Sequence, residues 1–463
     1  MTTSTGAPGV TSGTSPGNFA PVAEEVTAFE LPVEGELPAE LSGRYLRNGP
    51  NPIEAVDPGT HHWFLGDGMV HGLRIDEGRA AWYRNRYVGS PHVAEVRGVA
   101  DIEGPNWNGA RVGPNTAVGG WAGTTWAMVE AGGCPVELGY ELDSLRRDDF
   151  GGTITGAFSA HPKFDPVTRE LHAIAYALPE WLDHVAYIVI GADGRAVSEL
   201  EIPLGGMPMI HDMSLTRSWA LVYDQPVTVD LEVAATGAFP FRWNPDHGCR
   251  VGLLPRGGVP EEIRWIDLPL GYAFHPLNAY DTDDGRVVVD IVNYDRVFDR
   301  DVRGPFGEGS LGRLERWELD PHRRSASISV VDERSNEFPR CNDAVSTARH
   351  RFGWASAVSA VDGEPWPTLK HDLHTGERWE FDHGPGRAAG EAVFVARENP
   401  TAEDDGWLMA FVHDLADRST DFVVMDAADF GRTDYVARVR LPQRVPFGFH
   451  GNWVPDTAVP PRR

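Results

Sequence analysis

The sequence predicts an all-β fold of many short strands, and a β-propeller in preference to a pair of β domains. Three observations carry this. Alternating apolar and polar runs recur in hairpin pairs along the chain. Turn formers are abundant, with 51 Gly and 36 Pro. Long amphipathic helical patterns are nearly absent, and Leu142–Asp148 offers at best a turn or two of helix. A chain of 463 residues is too long for one sandwich but suits a propeller.

Taken in order, the chain opens with MTTSTGAPGVTSGTSPGN, which has neither a basic start nor an apolar segment and so is no secretory signal. Its Gly, Ser, Thr and Pro content predicts a disordered tail over residues 1–20, with 21–463 forming one catalytic domain. Met69–Ile75 and Ala80–Val88 flank Asp76-Glu-Gly-Arg as a hairpin, and His184–Ile190 turns through Gly-Ala-Asp-Gly into Arg195–Ile202. Thr368–Leu373 pairs with Glu377–Phe381 across His-Thr-Gly, and Phe422–Met425 and Tyr435–Leu441 flank a further connection. The end of the chain, RVRLPQRVPFGFHGNWVPDTAVPPRR, alternates like a strand before His450, as though the C-terminus closes something rather than frays.

Composition excludes several classes of function. The longest apolar run, Val185–Ile190, is far shorter than the roughly 20 residues needed to span a bilayer. A formal net charge of −27 repels nucleic-acid backbones and anionic lipid alike. Three widely spaced cysteines, Cys134, Cys249 and Cys341, point to reduced thiols and a cytoplasmic location. No His-Glu-x-x-His or Cys-x-x-Cys motif is present, so zinc-hydrolase readings start weak.

Seventeen histidines occur, and a lone histidine is usually a core or surface residue. Four stand in stiff contexts: His161 in SAHPKFDP, His211 in IHDMSLT, His275 in AFHPLNAYD and His450 in PFGFHGNW. These four are expected to meet on one metal ion. Their separations of 50, 64 and 175 residues read as one, one and three blades, at roughly 40–50 residues or more per blade. Equivalent inner positions of different blades converge on a propeller axis, which two separate domains would not arrange.

The ordered motifs GRYLRNGPNP (Gly43–Pro52), FLGDGMVHGLRI (Phe64–Ile75), SAHPKFDP (Ser159–Pro166) and IHDMSLT (Ile210–Thr216) resemble the carotenoid cleavage oxygenase family. FRWNPDHGCRVGLLPR (Phe241–Arg256), FHPLNAYD (Phe274–Asp281), EFPRCN (Glu337–Asn342), EAVFVARENPTAEDDGWLM (Glu391–Met409) and PFGFHGNW (Pro446–Trp453) extend the likeness over most of the chain. The resemblance implies a seven-bladed β-propeller with Fe(II) on its central axis, capped by loops that form a substrate tunnel. The family's iron ligands fall on His161, His211, His275 and His450, which would be the catalytic centre. Its outer glutamates fall on Glu130, Glu337 and Glu391, leaving His161 as the histidine without one. Neutral imidazoles suit ferrous iron, and a carboxylate on the other ring nitrogen fixes tautomer and orientation. Thr116 aligns with a threonine near the open iron position in relatives.

The implied reaction is cleavage, with dioxygen, of one double bond of a carotenoid or apocarotenoid into two carbonyl products. Stilbene-cleaving members carry a Lys directly before the first outer Glu; here that residue is Val129, which favours a polyene. The alternatives are a stilbene-cleaving dioxygenase, a polyene isomerase and a non-catalytic ligand-binding propeller. Pro276, Leu277 and Asp281 depart from the family pattern and alter the expected pocket shape rather than the ligand set. Phe64, Trp126, Tyr272, Phe274 and Phe449 are candidates for the tunnel wall. Expected partners are an apolar conjugated substrate and dioxygen, with no nucleic acid and no obligate protein partner. Pro226–Pro240, with Leu231, Val233 and Phe239, is the stretch expected to form an apolar patch where the tunnel mouth touches lipid.

Overall fold

A computed structural model describes residues 17–57, 59–178, 180–299, 311–359, 361, 363–431 and 434–459. Its strands build seven antiparallel blades, with a small ribbon of Val227–Val229 and Phe241–Trp243 inserted in the fourth. Numbered in chain order, the inner strands of blades 2 to 6 are Ala117–Trp121, Lys163–Phe164, Met213–Leu215, Tyr272–Asp281 and Asn336–Arg340. Blade 7 has a split inner strand, Arg387–Ala389 and Val393–Ala396, both paired with Gly406–Asp414.

Blade 1 is closed by the two ends of the chain. Gly451–Pro455 is its innermost strand and pairs with Gly43–Pro50, from Gly43↔Pro455 to Arg47↔Gly451. A second closure lies outside: Thr27–Leu31 adds to the edge of blade 1 while Val33–Gly35 adds to that of blade 7. The C-terminal segment therefore seals the ring. His161, His211, His275 and His450 fall on blades 3, 4, 5 and 1, so the steps are one, one and three blades.

Burial follows position within a blade. Middle strands are covered on both faces, so they read as largely apolar runs such as Val287–Val292, interrupted only by Asp290, which pairs with Arg316. The outer strand Ala196–Pro203 alternates because one face meets water. Apolar clusters fill the wedges between neighbouring blades, for example Leu221, Val251, Ile266, Val289 and Trp317 between blades 4 and 5.

The hairpin expected around residues 69–88 forms from Gly68–Asp76 and Arg79–Tyr87. Glu77 and Gly78 take positive φ angles of 48° and 73°, the tight turn that matches strand twist. Two local readings differ. Ser144–Arg147 is a strand, not a helical turn, because it completes the ladder beside Val136–Leu138. Pro91–Arg97 is a helix that periodicity missed. Its signals were Ser90, whose hydroxyl accepts from Val93 N–H at 3.2 Å, Pro91 in the first turn, and Gly98 in the left-handed conformation. Residues 1–16 of the expected tail lie outside the described residues. From Gly17 the chain packs on the domain: Asn18 donates to the Val445 carbonyl, and Phe19 meets Trp63 and Phe447 edge-on.

Candidate metal centre and substrate cavity

Local backbone irregularity aims the key side chains at the axis. His161, His211 and His450 stand one or two residues ahead of inner strands, where the ladder has not begun. His275 lies inside an inner strand whose register slips on both sides of Pro276, which has no N–H to give the ladder. Glu337 precedes a similar slip, where Phe338 has φ +57° and Pro339 interrupts pairing. Glu391 occupies the gap between Ala389↔Val412 and Val393↔Met409, one residue longer than the strand opposite. Three bulges thus turn side chains inward that a regular strand would bury between blades.

The four histidines converge. Each is 6–8% exposed, and one ring nitrogen from each lies within 4.8 Å of the others. Outer carboxylates fix three of the rings: His211 Nδ1 lies 2.8 Å from Glu130 Oε1, His275 Nδ1 2.6 Å from Glu337 Oε2, and His450 Nδ1 2.9 Å from Glu391 Oε1. Nδ1–H donates in each pair, so every Nε2 presents a lone pair inward. His211 Nε2 and His275 Nε2 then face each other at 3.1 Å with no proton to share. That separation is what two donors at right angles around one ion would have, at metal–nitrogen distances of about 2.1 Å. His161 Nε2 is buried without a hydrogen-bond partner. Residue chemistry and arrangement fit a metal ion.

Each glutamate has a second anchor that the sequence reading missed. Tyr176 Oη donates to Glu130 Oε2 at 2.8 Å, and Tyr294 Oη to Glu337 Oε1 at 3.0 Å. Glu391 Oε2 accepts from Gly451 N–H at 2.8 Å and lies 3.4 Å from Arg340 Nη1. Burial pushes the Glu337 carboxyl up to about 7. Glu391 is as deeply buried, but His450 and Arg340 hold it down to about 2. A fourth acid, Asp212, pairs with Lys163 at 2.7 Å. Four acids surround the histidines against two cations, Lys163 and Arg340, an excess of acidic groups that suits a bound cation.

The His450 loop is held from several sides. Phe449 N–H donates to the Asn48 carbonyl and His450 N–H to the Thr116 carbonyl, both at 3.1 Å. Arg47 is buried, donates to Pro446 O at 2.6 Å and lies against Gly448.

Two cavities flank the cluster. One, of about 560 Å³, has a mainly apolar lining rich in aromatic side chains and reaches Thr116, Glu130, His211, His275, Glu337 and His450. Phe64, Phe274 and Phe449 line it, as does Val129. The other, of about 570 Å³, is more polar and reaches His161, Lys163, Asp212, His275, Arg340, Glu391 and His450.

Three expected placements are corrected. Trp126 belongs to the polar cavity, because its strand turns Trp126 and Met128 toward Phe150 rather than the aromatic side. Tyr272 is fully buried behind Phe274, its hydroxyl donating to Met209 O at 3.1 Å. Phe239 is not on the surface: it stacks on His62 with ring centres 3.7 Å apart and lines the aromatic cavity, whereas Leu231 is 58% exposed. Apolar side chains of a short loop can turn inward or outward, and only the blade beneath decides which. No helix among the described residues is long and apolar enough to cross a membrane.

A propeller with four axial histidines, three of them fixed by carboxylates, defines a metal-dependent enzyme class. The chain belongs to the carotenoid cleavage oxygenase family: the family model described as retinal pigment epithelial membrane protein matches residues 19–455. It is 40% identical to a carotenoid cleavage oxygenase of Mycobacterium tuberculosis over 95% of this chain and 97% of that one. It is 31% identical to a carotenoid 9,10(9',10')-cleavage dioxygenase of Crocus sativus, over 95% of this chain and 88% of that protein. Among solved structures, Pseudomonas brassicacearum lignostilbene dioxygenase superposes with a TM-score of 0.85 at 27% identity, covering 95% of this chain and 98% of that one.

Proposed function

We propose that this chain is a dioxygenase that cleaves one double bond of a carotenoid or apocarotenoid into two carbonyl products, using Fe(II) held by His161, His211, His275 and His450. The observation that carries this is the position of the histidine cluster, at the foot of an aromatic cavity with few polar groups. Bound ferrous iron supplies the one-electron chemistry that lets dioxygen react with a closed-shell alkene, which redox-inert zinc does not.

The chain's own residues do the rest. Glu130, Glu337 and Glu391 hold three imidazoles in the tautomer that points Nε2 inward. Phe64, Phe274 and Phe449 provide flat walls for a conjugated chain, and their closeness to His211 and His450 sets which double bond is presented. The same walls exclude water. Both oxygen atoms end in the two carbonyl groups, so no protein group need give or take a proton. Val129 leaves the wall beside Glu130 apolar, which favours a polyene over a phenol. Thr116 lines the same cavity, and its backbone carbonyl holds His450 N–H.

Aerobic incubation of iron-loaded protein with a β-apocarotenal and with a hydroxystilbene tests this, with products identified by mass spectrometry under ¹⁸O₂. The expected result is two labelled aldehyde fragments from the apocarotenal and little stilbene turnover. Stilbene cleavage alone would transfer the assignment to that substrate. An unlabelled isomer would replace cleavage by isomerisation. Val129→Lys places a charge in the apolar wall and is expected to lower apocarotenal kcat/KM at least 10-fold.

We also propose that the cavity mouth rests on lipid, because Leu65 and Val112 line it while 36% and 43% exposed, and Leu231 projects from a short helix before the cavity-lining Gly237 and Phe239. Charging Val112 and Leu231 to Asp should halve flotation with neutral-lipid vesicles or better; unchanged flotation would refute the contact.

A further inference from the structure

Three of the four histidines have a glutamate on Nδ1, and the resemblance leaves His161 without one. The structure places a carboxylate there of another kind. Asp212 Oδ2 lies 3.7 Å from Nδ1 of the neutral His161 imidazole, longer than a hydrogen bond. Asp212 is 4% exposed, and three contacts fix its orientation. Lys163 Nζ grips both of its oxygens, at 2.7 Å and 2.8 Å, and Met213 N–H donates to Oδ1 at 2.6 Å. Each of the three glutamates likewise has one histidine and a second anchor of its own, a tyrosine or an arginine. Asp212 with Lys163 repeats that pattern on the polar-cavity side, where His161 and Lys163 both line the wall.

We propose that Asp212 is the positioning residue of His161, the fourth carboxylate of the metal centre, and that Lys163 draws it back so that His161 is the most loosely held ligand. This rests on the metal-centre reading above. Asp212 follows His211 directly, so one short segment supplies a metal ligand and the support of another. Lys163 sits two residues after His161 and couples the third and fourth blades in the same way. A ligand held by a strained or longer contact reorients more easily than its neighbours, so this side of the centre is the one that yields when the coordination number changes.

The test uses the full chain, stripped of metal and titrated with Co(II), whose visible ligand-field spectrum reports geometry as well as occupancy. Asp212→Asn is expected to weaken Co(II) binding about 10-fold and to shift that spectrum. Bulk charge alone would also weaken it, so the deciding variant is the double Lys163→Met/Asp212→Asn. That double leaves the local charge balance unchanged and strands no buried ion. A double that stays about 10-fold weak with the shifted spectrum supports the positioning role. Wild-type affinity and spectrum in the double, or in Asp212→Asn alone, overturns it. Failure of the unaltered protein to take up Co(II) at all would instead sink the metal-centre reading.

Discussion

Replacing His275 with alanine is expected to release the metal and abolish cleavage while leaving the propeller folded. His275 stands on the inner strand of blade 5 at a double bulge, so its side chain serves the axis and not the wedge between blades. Removing it takes away the Nε2 that faces His211 Nε2 at 3.1 Å. It also leaves Glu337 with Tyr294 and the Phe338 N–H as partners, enough to keep that buried carboxyl satisfied. Loss of an outer carboxylate partner typically costs 10–100-fold in metal affinity, and loss of the ligand itself is expected to exceed about 100-fold. Metal content by mass spectrometry, turnover and far-UV circular dichroism read the three parts separately. Retained metal and turnover would remove His275 from the centre. Glu337→Gln is the milder companion, with an expected loss of about 10–100-fold in affinity.

The second large effect is expected from Gly448→Ala, a change of one methyl group. An added Cβ at Gly448 would fall inside the Arg47 guanidinium and only 3.0 Å from the Asn48 carbonyl. Arg47 is buried and donates to Pro446 O, so moving its guanidinium aside breaks that bond. Overpacking a filled interior costs about 1–3 kcal/mol, and leaving a buried donor unsatisfied adds about 1–3 kcal/mol more. The strain arises two residues before His450, so the Phe449 and His450 backbone bonds to Asn48 and Thr116 are the ones displaced. A fall in Tm together with at least 10-fold weaker metal binding is expected. Gly205→Ala is the control, since a Cβ there meets nothing within 4 Å. Equal effects of the two substitutions would show that Gly448 is not a packing constraint on the site.

Several elements were legible in the sequence because their causes are local. The hairpin of Gly68–Asp76 and Arg79–Tyr87 follows from alternation and from Gly78, which takes the positive φ of a tight turn without steric cost. Blade count between histidines followed from spacing, since a four-stranded sheet with its loops takes roughly 40–50 residues or more. Four histidines could be singled out of seventeen because Pro, Gly and aromatic neighbours stiffen their surroundings. Pro276 and Pro339 stand at two of the three bulges, but the register slips there belong to the pairing with the neighbouring strand and were not legible in the sequence. The helix Pro91–Arg97 had its cap residues in plain view but is too short for periodicity to register.

Other features depend on residues far apart in sequence. Which aromatic faces which cavity was not readable: Phe64, Phe274 and Phe449 line one wall while Trp126 lies on the other side of the metal centre and Tyr272 sits behind Phe274. The same holds for Tyr176 and Tyr294, which anchor glutamates 46 and 43 residues away. By itself the sequence determined the strands, the turns, the blade periodicity and the four stiffly set histidines, all governed by residues within a few positions of each other. Only the tertiary structure decided that blades 1, 3, 4 and 5 aim those histidines at one point, that Asp212 stands beside His161, and that Phe239 turns inward. Those outcomes depend on ring closure by Gly451–Pro455 and on bulge geometry, which bring together groups that share no local pattern.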